Sequence, residues 1–267
     1  MNASPWIVGG GSRQGAAHKR RNQPNQDALR WVVAPEGGVS FAAAVADGHG
    51  GEEYYRSDVG ASLAVTVATE TLARCLAGPP PNAPWLLQAL VEAWRQAVQR
   101  HATQASAGWV NPESGAGEDS TVPYGTTLVA SAISPDWALA LQIGDGDLYW
   151  GFADGQVVRT IPEEDQLVGE QTRSLCLPDA VERTRVVLRL AADAQPLPDF
   201  ALLSTDGLSK SFATQEDFRK TVAELRAALR QQGAETFASL PLWLDAISER
   251  GSGDDVTLCL ASLPARA

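Results

Sequence analysis

Cysteine, histidine and lysine are scarce in this chain. Its 267 residues include three cysteines and three histidines. Cys75, Cys176 and Cys259 lie far apart, with no Cys-x-x-Cys pair. That excludes a disulfide scaffold and a thiolate zinc site, and it fits a reducing compartment. The lysines are Lys19, Lys210 and Lys220, and all basic residues together number 21 against 32 acidic ones. A net charge of -11 leaves no basic footprint for the phosphates of a nucleic acid. No apolar run approaches the ~18 residues of a membrane helix. The opening MNASPWIVGGGSRQG has no basic segment leading into an apolar one, so no secretory leader is expected. Gly9-Gly10-Gly11 is not followed by the Lys-Ser/Thr of a P-loop. These absences predict a cytoplasmic protein that binds neither nucleic acid nor membrane. Many alanines, with arginine far outnumbering lysine, fit a GC-rich bacterial coding sequence.

What is present is apolar residue, at 44%, enough to bury a full core. Strand-like runs come in batches. PWIVGG (5–10), ALRWVVA (28–34) and VSFAAAVA (39–46) lead. A helix is predicted over 52–77, with Tyr55, Val59, Leu63, Val67, Leu72 and Leu76 on one face. A second runs from the Asn82 cap to about Thr103, with Trp85, Leu86, Ala89, Leu90, Ala93, Trp94 and Ala97 inward. Residues 106–123 read as a loop. TTLVASAI (126–133), WALALQI (137–143), DLYWGF (147–152) and QVVRTI (156–161) then read as a meander. After an irregular stretch, 162–182, come the strands RTRVVLRL (183–190) and DFALLST (199–205). Two helical segments over 214–249, broken near Gly233 and Pro241, precede a last strand, DVTLCLASL (255–263). Batches of strands with paired helices between them predict an α+β fold: a four-layer αββα sandwich, two antiparallel sheets inside and helix pairs outside. No linker interrupts it, so residues 1–267 read as a single domain.

The chemistry sits where apolar runs stop. FAAAVA runs into Asp47-Gly48-His49, ALQIG into Asp145-Gly146, and FALLST into Asp206-Gly207. Asp254-Asp255 precedes the last strand, and Asp27 precedes the strand from Ala28. One Asp-Gly is an ordinary turn. Five strand ends carrying carboxylates are another matter. If they converge, the carboxylates repel, and a divalent cation relieves the repulsion. Oxygen donors with few histidines favour Mg2+ or Mn2+ over Zn2+. His101, near a helix end, reads as a solvated side chain.

Five stretches then match a known pattern in order: NQDA (25–28), VADGHGG (45–51), GTT with ALQIGDGDLYW (125–127 and 139–150), LLSTDGLS (202–209) and GSGDDVTLCL (251–260). In these the sequence resembles the type 2C family of metal-dependent serine/threonine protein phosphatases, in a divergent bacterial branch. The resemblance implies hydrolysis of phosphoserine and phosphothreonine on proteins by a metal-bound hydroxide, opposing a bacterial serine/threonine kinase in signal transduction. It implies two metal ions, or three. Asp47 would bridge two of them and the Gly48 carbonyl would bind the second. Asp206 and Asp254 would hold the first, with Asp255 at the family's Asn position. Asp145 would join Asp206 at a third. Asp27 would orient metal-bound water, and His49 would protonate the leaving alkoxide. Two positions depart from the family. Gln26 stands where a Glu often ligates. Asn22 stands where a phosphate-binding arginine is common, which leaves His18, Arg20 or Arg21 to meet phosphate. Segment 162–182 falls where the family has a substrate-shaping flap. The rival readings are a pseudophosphatase that binds a kinase or regulator, and another oxygen-ligated metal phosphohydrolase.

Overall fold

The computed structural model describes residues 5–35, 37–106, 121–162, 173–193 and 195–264. Chain order begins with β1 (Ile7–Arg13), α1 (Ala16–Arg21), β2 (Asp27–Val33) and β3 (Phe41–Asp47). A 3-10 turn at Glu52–Tyr54 precedes the paired helices α2 (Ser57–Cys75) and α3 (Ala83–Ser106). Another, Val122–Tyr124, leads to β4 (Leu128–Ile133), β5 (Trp137–Ile143), β6 (Asp147–Gly151) and β7 (Val157–Arg159). Then follow α4 (Ala180–Arg183), β8 (Arg185–Leu190), β9 (Phe200–Ser204), α5 (Asp206–Ser209), α6 (Gln215–Gln232), α7 (Thr236–Arg250) and β10 (Val256–Ser262).

The strands form two five-stranded sheets, ordered β1-β10-β9-β6-β7 and β2-β3-β4-β5-β8, with every neighbouring pair antiparallel. The α+β sandwich expected from the sequence is the one found. Phe41, Ala43 and Val45 of β3 pack between the sheets with Val129, Trp150, Leu203 and Cys259. Ala42, Ala44 and Ala46, on its other face, pack under α2 and α3 with Ala61, Ala64 and Trp94. Both faces of β3 are buried, which is why it reads as an unbroken apolar run and not as an alternation. Across the other sheet, Phe200, Leu202 and Leu258 meet Phe218 of α6 and Leu244 of α7.

Of the face expected for α2, Leu72 and Leu76 are buried and Val59, Leu63 and Val67 pack against the core half-buried, while the deepest positions are mostly small. Gly60, Ala61, Ala64, Val65, Ala68 and Leu72 are buried, whereas Tyr55 is 68% exposed. Small side chains win here because β3 presents alanines, and two small surfaces approach closely. In α3, Leu87, Val91 and Val98 join the core and Trp85 turns outward at 76% exposure. Trp94 is fully buried, and its Nε1 donates to the Gly60 carbonyl at 3.1 Å. Pro241 lies inside α7 without ending it. The expected meander also changes sheet. The chain leaves one sheet at Ile143 and enters the other at Asp147, so the Gly144-Asp145-Gly146 turn spans the two layers. The buried Gln142 amide braces it, donating to the Gly144 and Gly146 carbonyls at 3.1 and 2.7 Å. His101 is not simply solvated. Its Nδ1 lies 2.9 Å from the Tyr124 hydroxyl, and the rings meet edge to face. The expected loop at 106–123 lies mostly outside the described residues, as does 163–172 of the expected flap.

Gly60 is where α2 comes nearest to the turn before β4. A Cβ there would stand 2.0 Å from the Tyr124 carbonyl oxygen. Gly60→Ala is expected to destabilise the protein by about 1–3 kcal/mol through overpacking. Thermal denaturation checks this, and an unchanged Tm would contradict the packing described.

Candidate metal centre

The strand ends do converge. Asp27 opens β2 and Asp47 closes β3, and the two residues are registered partners across that ladder. Asp206 begins α5 one residue after Thr205, directly beyond β9. Asp254 and Asp255 lead into β10, which pairs with β9. Gly207 makes this junction tight: a Cβ on it would lie 2.0 Å from the Asp255 carbonyl oxygen. Asp145 arrives on the turn that changes sheets. Asp47 is held by its backbone, with its N–H donating to Thr127 Oγ1 at 3.0 Å and its carbonyl accepting from Thr127 N at 2.8 Å. The side chain is left free for other work.

The electrostatics are those of acids that outnumber their counter-ions. Burial, then the charges of Asp27, Asp206, Asp254 and Asp145, hold the Asp47 carboxyl well above its ordinary range. Asp27 is also raised well above it, by burial first. The Thr257 and Thr205 hydroxyls offset part of that, and Asp255 and Asp206 add to it. Thr205 Oγ1 donates to Asp27 Oδ2 at 2.8 Å. Asp145 sits at the rim with 55% of its side chain exposed. It is raised by partial desolvation and by Asp206, and Lys210 works against the rise. Asp27 Oδ1, Asp206 Oδ1, Gln26 Oε1 and His49 Nε2 are buried without hydrogen-bond partners.

This donor set fits a hard divalent cation. The free atoms are chiefly oxygens, and neighbouring negative charge raises the carboxyls. Among the described residues no three His, Cys, Asp or Glu side chains already form a closed cluster of ligands. Mg2+ does not require one, because it keeps several of its waters.

The acids at 254 and 255 divide their work. Asp255 is 3% exposed and accepts from the Gly15 and Gln26 backbone N–H groups at 2.6 and 2.7 Å. It is a structural pin that ties α1 and the start of β2 to the last strand. The Asp254 side chain is 42% exposed and acts on Asp47 through its charge. His49 is buried, and burial pushes its imidazole below the usual histidine value while Asp145 pushes the other way. Its ring meets Tyr54 edge to face at 5.1 Å. Gln26 Nε2 donates to Ser57 Oγ at 2.6 Å and to the His49 carbonyl at 3.3 Å, so the side chain braces the Asp47 loop.

The phosphate-binding candidates separate. His18 Nδ1 lies 2.9 Å from Asp255 Oδ2, in contact but not aligned for a hydrogen bond, and Nε2 lies 3.7 Å from Asp254 Oδ1. His18 therefore faces the acids of the last strand. Arg20 and Arg21 are exposed on α1. Asn22 is the left-handed C-cap of that helix at φ 55°, a conformation that asparagine tolerates better than arginine. Lys210, which the sequence reading passed over, hydrogen-bonds to Asp206 Oδ2 and lies 3.8 Å from Asp145 Oδ2. The i, i+4 spacing of Asp206 and Lys210 was the available signal. Burial alone would lower this ammonium, but Asp206, Asp145 and Asp254 hold it above its ordinary value.

The model of the family described as protein phosphatase 2C matches residues 14–245. The chain belongs to the protein phosphatase 2C family. A sequence search of the curated proteins finds no match. Solved structures share the fold. PppA, a key regulatory component of T6SS in Pseudomonas aeruginosa, superposes with a TM-score of 0.60 at 24% identity, covering 97% of this chain and 98% of that one. The serine/threonine phosphatase Stp1 from Staphylococcus aureus gives 0.62 at 15% identity, covering 99% and 98%. The catalytic domain of PstP, in complex with two manganese ions, gives 0.57 at 20% identity, covering 97% and 99%.

Repulsion at Asp47 has a measurable consequence in metal-free protein. In EDTA at neutral pH, Asp47→Asn is expected to melt above wild type by roughly 2–4 °C, the shift that about 1 kcal/mol gives in a chain of this size. Because the folded-state pKa of Asp47 lies above its unfolded value, the penalty is full above the folded pKa. It shrinks as pH falls below that value and the carboxyl takes up a proton, and it is gone below the unfolded value. The gap between variant and wild type should therefore close on acidification. A gap that widens would contradict it.

Proposed function

We propose that this protein hydrolyses phosphoserine and phosphothreonine on proteins in a metal-dependent reaction. The observation that carries the proposal is the convergence of Asp27, Asp47, Asp145, Asp206 and Asp254 at one end of the sandwich, in a chain of this family. Asp47 would lie between two Mg2+ or Mn2+ ions, Asp206 and Asp254 on one of them and the Gly48 carbonyl on the other. Bound there, such ions supply a water activated at neutral pH and neutralise phosphoryl charge.

The chain's own residues do the rest. Asp27, with Oδ1 free and a raised pKa, accepts a hydrogen bond from the attacking water and fixes its direction. Burial keeps the His49 ring dry, and Nε2 has no protein partner. That nitrogen is the proton donor to the departing serine or threonine oxygen. Arg20 and Arg21 are exposed on α1, the helix that carries His18, and would meet the phosphoprotein from solution. His18 orients the terminal acids. The substrate is a phosphoprotein of a bacterial serine/threonine kinase system in the cytoplasm, and residues 1–267 act as one catalytic domain. No helix among the described residues is long and apolar enough to cross a membrane.

Gln26 and Asn22 favour one alternative, a phosphatase fold that binds a signalling partner without turnover. Hydrolysis of para-nitrophenyl phosphate and of a phosphothreonine peptide, compared in EDTA, Mg2+ and Mn2+, separates the two. Activity that needs metal supports the enzyme. No turnover with any metal, in folded protein, supports the binding module. Asp47→Asn and Asp206→Asn should each lower turnover at least about 10²-fold, the scale of losing one group that stabilises charge. His49→Ala should cost about 10²–10⁴-fold on an alkyl phosphate. The loss should be smaller on para-nitrophenyl phosphate, whose leaving group needs no proton, and equal losses on both would remove His49 from the acid role.

A further inference from the structure

Lys210 follows α5, four residues after Asp206, and reaches the acids from outside. Its side chain is 57% exposed, while that of Asp206 is 7% exposed. The two oxygens of Asp206 meet different surroundings. Oδ2 accepts a hydrogen bond from the Lys210 ammonium, and Oδ1 is buried without a partner. The same ammonium lies 3.8 Å from Asp145 Oδ2. One positive charge therefore bridges the two carboxylates of the rim.

Asp27, Asp206, Asp254 and Asp145 all act on Asp47, and Asp255, held by two backbone N–H groups, acts on Asp27. The Lys210 ammonium is a cation that the chain itself brings to these acids. A third divalent ion at the rim would have to displace a cation tethered to the chain and would sit against two others.

We propose that Lys210 is a built-in cation that stands in place of an ion between Asp145 and Asp206, so that the centre of this chain fills with two divalent ions and not with three. This rests on the metal-dependent reading above and deepens it. Asp206 is then shared by its two oxygens, Oδ1 for an inner ion and Oδ2 for the lysine. Asp145 becomes the partner of a side chain instead of a metal ligand.

The test is Mn2+ binding to the full chain, by equilibrium dialysis with metal analysis and by titration calorimetry. Wild type is expected to bind two ions. Lys210→Gln should bind a third at least tenfold more tightly than wild type does, and Lys210→Arg, which keeps the charge, should behave as wild type. Adding Asp145→Asn to Lys210→Gln should remove the extra ion. Thermal denaturation gives an independent readout: in EDTA, Lys210→Gln should melt below wild type, and Mn2+ should raise its Tm by more. Lys210 lies outside the core, so these variants retain the fold. Equal stoichiometry and affinity in wild type and Lys210→Gln, both binding Mn2+, would overturn the inference and leave the metal-dependent reading intact. Survival of the extra ion after Asp145→Asn would also overturn it. No Mn2+ bound by either protein would overturn the metal-dependent reading itself, and the inference with it.

Discussion

Repulsion among carboxylates gathered at one end of two sheets is the constraint that the rest of this structure serves. Asp27 and Asp47 face each other across a ladder, where like charges on neighbouring strands are destabilising. Asp206, Asp254 and Asp145 add to the same field. Such an arrangement persists only if the surrounding structure over-determines it. Three stacked cores do that here. They fix the strand ends from both faces, so the acids cannot relax apart without unpacking the sandwich.

Those cores are built from unusually small parts where they matter most. β3, which ends in Asp47, is largely alanine on the face that meets α2. The helix answers with Gly60, Ala61, Ala64 and Ala68. Close-packed backbones have little room to shift, and a strand clamped in this way holds its last residue in a narrow range. On the other sheet the same rigidity comes from Gly207 against the Asp255 backbone. A site of repelling charges on rigid elements is preorganised for an ion, because the cost of bringing the ligands together is met during folding.

The polar residues around the cluster sort by what already satisfies them. Asp255, Thr127 and the Gln142 amide nitrogen hydrogen-bond to backbone, and Thr205 to backbone and to Asp27, and so hold the loops. Asp27, Asp206 and His49 keep a buried atom without a partner. The first group braces the loops. The second marks where chemistry is left to do. Lys210 belongs to neither group. It is exposed and it carries the charge that the acids lack.

Much of this was legible in the sequence. Apolar runs that stop at Asp-Gly marked the strand ends, and batches of strands with paired helices determined the layered class, because burial on one or both faces is written in the spacing of apolar residues. The order of the motifs determined the family. What the sequence could not decide was anything set by partners distant along the chain. The motif separates Asp254 from Asp255, but only contact with Gly15 and Gln26 shows Asp255 as a pin between α1, β2 and the last strand. On α2 the large apolar residues mark the inward side, but only the structure shows that the alanines of β3 select small side chains at the point of closest approach. The switch of sheets at Gly144–Gly146 left no local mark, since a turn between two antiparallel strands and a turn between two layers use the same residues. The role of Lys210 depends on where Asp145 lies, and that is a fact of tertiary structure alone.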